Sequence, residues 1–312
     1  MPAPKKPRRE TRSAPRSKIS TGQALPDRRV MEEYLAAITE DGKASALRDA
    51  QDIIYDAWER ATSRSRIALA RKAIGVSPLC ADAYNLLARA AATATEARDL
   101  YERGLLAGEL ALGPRGFEEY DGRFWGYLET RPYMRARHGL AMTLLSLGEE
   151  DAAVEHFRAM LALNPNDNQG IRYLLLARLL RRDDAKAVKI LLAAYKDEWS
   201  VYWLYTRALL AWREGRSSGK AAKKLVGDAF SVNKFVPAIL AGISPPVISR
   251  DGYVTMGGAD EATEYVRECG AAWKETPGAI DWLAIVLLEC FQRSIDPAGV
   301  WCLAADQSLI VL

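Results

Sequence analysis

Histidine is nearly missing from this chain: its 312 residues hold two, His138 and His156. The four cysteines, Cys80, Cys269, Cys290 and Cys302, form no C-x-x-C pair. Structural zinc needs closely spaced thiolate and imidazole ligands, so no metal site is expected, and reduced cytoplasmic thiols are the simplest reading. Also missing are a glycine-rich phosphate loop, a G-x-S-x-G elbow and an H-E-x-x-H pair. Gly257-Gly258 follows no strand-like run that would make a dinucleotide fingerprint. With nucleophile, base and phosphate cradle all lacking, the sequence nominates no catalytic residue and no cofactor. An apolar run able to cross a membrane is not found either. The longest uncharged stretch, Phe235 to Ser249, is shorter than the ~18 residues a span requires and contains Pro237, Pro245 and Pro246. No apolar run follows the basic N-terminus as a secretory leader would demand. Strand signals are scarce throughout.

Charge is unevenly placed. Residues 1–29 carry nine cationic side chains, among them Lys5, Lys6, Arg8 and Arg9, against Glu10 and Asp27. That is +7 in a chain of net charge +3, which leaves −4 for the rest. Five prolines and little that is apolar give this arm nothing to bury, so it is expected to be disordered. Lys5-Lys6-Pro7-Arg8-Arg9 has the composition of a nuclear import signal, and the Arg/Ser-rich, acid-poor arm that of an organellar transit peptide; either needs a eukaryotic source. Loose phosphate binding by counterion release is a third reading, and a solubilising tail without a specific partner a fourth. The compartment expected is the cytoplasm, or the nucleus if the import reading holds.

The informative presence is a period. Segments starting at Met134, Asn168 and Tyr202 place the same residue classes at the same offsets, 34 residues apart. Ala141, Leu175 and Leu209 share one offset; Ala153, Ala187 and Ala221 another; Phe157, Leu191 and Leu225 a third. A turn falls near Gly148, Arg182 and Gly215. Two earlier repeats start at Leu47 and Ala81, with Pro78 and Pro165 at the closing position. Small residues where two helices touch, followed one turn later by a bulky one, resemble the tetratricopeptide pattern. The resemblance implies an all-α solenoid of about five helical hairpins, near 47–78, 81–112, 134–164, 168–197 and 202–232. The array is expected over 30–235, interrupted by an aromatic insertion at 115–133. That insertion holds Phe117, Tyr120, Phe124, Trp125, Tyr127 and Tyr133, and either packs on the array or grips a ligand through Phe124 and Trp125. Residues 236–312 read as an irregular connection and two capping helices, Ala259 to Lys274 and Ala279 to Arg293, whose Trp273, Trp282, Leu283, Val286 and Leu287 face the array.

A second resemblance rests on Cys80-Ala-Asp-Ala-Tyr84-Asn-Leu-Leu-Ala-Arg89 with Ala97-Arg98-Asp99-Leu100-Tyr101 and Gly104 to Glu109, which are similar to the repeat region of the suppressor-of-tumorigenicity-seven family. Leu163 to Gly170 resembles a segment of bacterial repeat proteins. Neither resemblance brings an activity with it. Carried onto this chain, the tetratricopeptide groove offsets fall on Arg135, His138, Arg172, Tyr173, Trp203 and Arg207 in the last three repeats. They fall on Arg48, Gln51, Asp52, Tyr55, Trp58, Asp82, Asn85 and Arg89 in the first two. Arginine forks beside aromatic anchors suit an acidic or carboxylate-terminated peptide, and the expected role is a protein-binding scaffold. The alternatives are a nucleic-acid-associated protein that uses residues 1–29, and a regulatory subunit of an enzyme complex.

Overall fold

The computed structural model describes residues 40–249 and 253–292, so the basic arm at 1–29, Cys302 and the apolar end at Leu309–Leu312 lie outside the described residues. Among the described residues all regular structure is helical. In chain order the helices are α1 (Glu40–Glu59), α2 (Ser63–Val76), α3 (Ala81–Arg89), α4 (Ala94–Glu119), α5 (Arg131–Ser146), α6 (Glu150–Leu163) and α7 (Ile171–Arg181). Then follow α8 (Ala185–Ala194), α9 (Val201–Arg213), α10 (Gly219–Val232), α11 (Val236–Leu240), α12 (Ala259–Lys274) and α13 (Ala279–Gln292), with a short 3-10 turn at Phe124–Gly126.

Local chemistry starts and stops these helices where the period places them. Thr93 accepts from the Glu96 amide at 3.1 Å while the Glu96 carboxylate accepts from the Ala92 amide at 3.0 Å, a reciprocal cap on α4. Asp184 accepts from the Ala187 amide at 3.0 Å and caps α8. Left-handed residues close α5, α7 and α9: Gly148 at φ +80°, Asp183 at +54° and Gly215 at +69°. The middle turn therefore belongs to Asp183, one residue beyond Arg182. Pro78 and Pro165 each follow the last residue capping a helix, where no amide donor is needed.

Helices α1 and α2, α3 and α4, α5 and α6, α7 and α8, and α9 and α10 pack as successive pairs, and α1, α3 and α5 also lie side by side. Ala141, Leu175 and Leu209 are all buried, as are Ala153 and Phe157. The equal spacing fails at the two later second helices. Ala187 is half-buried and Ala221 exposed, and it is Val188 and Ala222 that point inward. Each of those helices is rotated by one residue because its preceding turn differs in length. Two cores result. A small one joins Ala50, Ile54 and Ala57 of α1 to Ala70, Ala73, Cys80, Ala83 and Leu86. A large one runs from Ala88 to Leu287.

The segment 115–133 is largely core. Helix α4 turns sharply at Gly113 (φ +58°) beside Pro114 and continues to Glu119. Phe117 then packs against Phe124 at 5.1 Å and Tyr133 at 5.2 Å between ring centres. Asn164 accepts from the Trp125 amide at 3.3 Å, and Arg131 donates to the Trp125 carbonyl at 3.0 Å, tying the segment to the end of α6 and the start of α5.

Helix α12 does not merely follow the pairs. It lies against α7 and α9, while α13 packs on α10 and α9. Trp273, Trp282, Leu283, Val286 and Leu287 are all buried.

Candidate functional site

The face shared by α1, α3 and α5 is built around Asp82. This carboxylate sits in the first turn of α3, where the helix dipole favours negative charge, and it is 1% exposed. A buried carboxylate needs several donors, and it has them: Gln51 Nε2 at 3.1 Å, Asn85 Nδ2 at 3.0 Å, and Nε (2.8 Å) and Nη2 of Arg135 in a fork. Asn85 reaches further, to the Pro132 carbonyl at 3.0 Å. Arg135 also lies 5.3 Å from the centre of the Trp58 ring, which is 5.5 Å from that of Tyr55. Trp58 and Tyr55 remain 40% and 44% exposed, so the ion-paired arginine supports an aromatic surface turned to solvent. Beside it a cavity of about 680 Å³ opens between Leu47, Gln51 and Tyr55 of α1 and Leu112, Arg115 and Tyr120 of the bent end of α4. The insertion thus supplies one wall of a cleft whose other wall is α1.

The residues nominated from the sequence are not brought into one row. Arg172 is buried in a cluster of its own. Its guanidinium pairs with Asp167 (2.9 Å) and Glu198 (2.7 Å), donates to the Tyr173 hydroxyl (2.8 Å) and lies 4.4 Å from the centre of that ring. Desolvation by burial raises the Tyr173 phenol above its usual range, with Arg172 opposing the rise. Trp203 is fully buried between Tyr173 and Tyr195, so the expectation that it offers a surface to a ligand is corrected: its indole is core. Phe124 is likewise fully buried, whereas Trp125 is half-buried with Arg131 5.5 Å from its ring centre. Arg207 donates to the Lys196 carbonyl at 3.0 Å. Only Arg135 and His138 lie on the face that carries Asp82. His138 is half-buried, and burial first, then Arg89, lowers its pKa. His156 on α6 is lowered to about 4, by burial and then by Arg137, whose Nη1 lies 3.4 Å from the ring.

What the period did not disclose is that this chain covers half of its own first-helix surface. Arg178 of α7 pairs with Glu268 of α12. Tyr265 of α12 packs on Tyr202 (5.4 Å) and Tyr205 (5.6 Å) of α9, and accepts from Trp273 Nε1 at 2.8 Å. Arg213 at the end of α9 donates to the Ala272 carbonyl (3.1 Å) and to Thr276 Oγ1 (2.9 Å). The groove positions Leu176 and Leu210 are buried accordingly. A signal was present in the sequence. Glu264, Tyr265, Glu268, Ala272 and Trp273 recur at helical spacing and complement the arginines and aromatics of α7 and α9.

No family model matches the chain. It is similar to Suppressor of tumorigenicity 7 protein-like of Rattus norvegicus, 26% identical over 268 residues that make up 78% of this chain and 46% of the relative. The protein of that name in Danio rerio is 28% identical over 268 residues, 78% of this chain and 45% of the relative. Protein ST7 homolog of Drosophila pseudoobscura pseudoobscura is 25% identical over 272 residues, 77% of this chain and 49% of its own. The chain spans about half the length of the curated relatives it matches. Among the described residues no helix is long and apolar enough to cross a membrane.

Proposed function

We propose that the protein is a tetratricopeptide-type scaffold that binds a protein partner on the face of α1, α3 and α5. The observation that carries this reading is the contrast between the two halves of the first-helix surface. On α7 and α9 that surface is occupied by α12, with its arginines paired and its aromatics buried. On α1 and α3 it stays open, with Tyr55 and Trp58 exposed beside a cleft large enough for several side chains. Exposed aromatics braced by a buried ion pair have the character of interface anchors, since little order remains to be imposed on binding. The helical pairs and their 34-residue period support the repeat reading, and the unpaired thiols of Cys80, Cys269 and Cys290 support a reducing, cytoplasmic setting.

The test is affinity capture from the native cell with the wild type, with Tyr55→Ser/Trp58→Ser, and with Trp199→Ser as a control for an exposed aromatic elsewhere. Partners lost from the double variant and kept by the control support the face. Retention of every partner by the double variant overturns it.

A further inference from the structure

A second cavity, of about 380 Å³, opens where α3, α4 and α5 meet, and its polar groups have no internal use. Arg89, the last residue of α3, is exposed, and its side chain makes no hydrogen bond or ion pair among the described residues. The same holds for the His138 imidazole and for the hydroxyl of Tyr101, whose ring is 8% exposed. Arg135 spends Nε and Nη2 on Asp82 and leaves Nη1 over. Elsewhere on the first-helix surface the pattern is the opposite: Arg172, Arg178 and Arg213 each hold a carboxylate. Here donors and cations converge and no carboxylate answers them.

The floor of the cavity has a specific cause. A Cβ at Gly139 would lie 2.2 Å from the Tyr101 ring, so only glycine lets the ring lie flat on the α5 backbone and leave the space above it open. Met142, 40% exposed, forms the opposite rim. The cavity is larger than a lone inorganic anion, and its ring and thioether suit an aliphatic stem.

We propose that this cavity receives a carboxylate borne by an acidic peptide, held by Arg89, His138, Tyr101 and the free Nη1 of Arg135. The inference rests on the scaffold reading for the carrier of the anion, and on the cavity alone for the anion itself. The depressed affinity of His138 for protons agrees with it, because burial and Arg89 both disfavour a cation there and a bound carboxylate opposes the second effect. Arg89 supplies the fork, and the neutral imidazole and phenol supply donors that cost no buried charge.

The experiment uses the full chain, in which two histidines make the imidazole signals simple to follow by NMR. The probes are three short acetylated peptides: one amidated with a single Glu, one without Glu but with a free C-terminus, and one amidated with Gln in place of Glu. Inorganic phosphate is a fourth. At least one carboxylate peptide is expected to shift the His138 ring resonances, to weaken with added salt, and to bind at least ten times more tightly than the Gln peptide. Which of the two does so identifies a side chain or a terminus as the source. Arg89→Gln is expected to lose that preference with an unchanged melting curve, while Arg103→Gln, which removes an equal charge outside the cavity, keeps it. Gly139→Ala closes the cavity at constant charge and is expected to abolish the His138 response. The proposal is overturned if the Gln peptide binds as well, if Arg103→Gln weakens binding as much as Arg89→Gln, or if phosphate alone perturbs His138. Such a failure leaves the Tyr55/Trp58 result standing, and the converse failure leaves the carboxylate response standing.

Discussion

At the residue scale, the fate of a groove arginine depends on what lies within a few ångströms of it. Arg172 is 16% exposed and faces two carboxylates, of which Asp167 is 1% exposed and also accepts from the Ile171 and Arg172 amides at 2.7 and 2.9 Å. Removing the guanidinium strands Asp167 and Glu198 with no equivalent cation, because water reaches them poorly. Arg172→Ala is therefore expected to lower stability by roughly 2–4 kcal/mol, read from a urea denaturation midpoint at unchanged slope. This reverses the expectation formed from the sequence, in which an exposed arginine contributes almost nothing. A midpoint within experimental scatter of the wild type would show that the cluster is solvated rather than structural. Arg207, bonded to a carbonyl at an exposed site, serves as the comparison and is expected to move the midpoint little on truncation.

At the scale of an element, a 34-residue period fixes where a helix lies better than which way it is rotated. The limits expected from the spacing agree closely with α2, α6, α10, α12 and α13, because caps, prolines and left-handed turns are written locally. Rotation is not. One residue more or less in a turn moves every side chain by 100°, and this is why Ala153 faces inward on α6 while Ala221, at the same offset, is exposed on α10. The two positions make a paired test. Ala153→Leu is expected to cost about 1–3 kcal/mol by overpacking against Val154 and Phe157, whereas Ala221→Leu stays within about 0.5 kcal/mol. Equal effects in thermal melts would mean that the rotation of α10 has been misassigned. The open face was legible in part for the same reason. Tyr55, Trp58, Asp82 and Arg89 stand at helical offsets that any repeat would use, but no local rule says that α12 covers the corresponding offsets of α7 and α9. That contact joins residues up to 90 apart, Arg178 and Glu268. The wall built by the bent end of α4 was hidden as well, since its direction depends on one positive φ at Gly113.

At the scale of the molecule, α12 divides the chain into a clasped part and an unclasped one. The small core of α1 to α3 rests on contacts between neighbours in sequence, but the large core is closed by residues that arrive last. Deleting residues 257–312 uncovers Tyr202, Tyr205 and Leu210, so the shortened chain is expected to bind an apolar dye and to melt broadly, while the intact chain does neither. A sharp melt without dye binding would show that α12 is an ornament of the array. The order of synthesis gives the clasp a further meaning. Helix α9 is complete at Arg213, yet its cover ends at Lys274, and at about 5–20 residues per second the ribosome needs several seconds to deliver it. During that interval the nascent chain presents the aromatic faces of α7 and α9 to whatever is nearby. A codon tract that slows translation between the two helices prolongs that exposure, which places the hazard for this protein in its birth rather than in its working life.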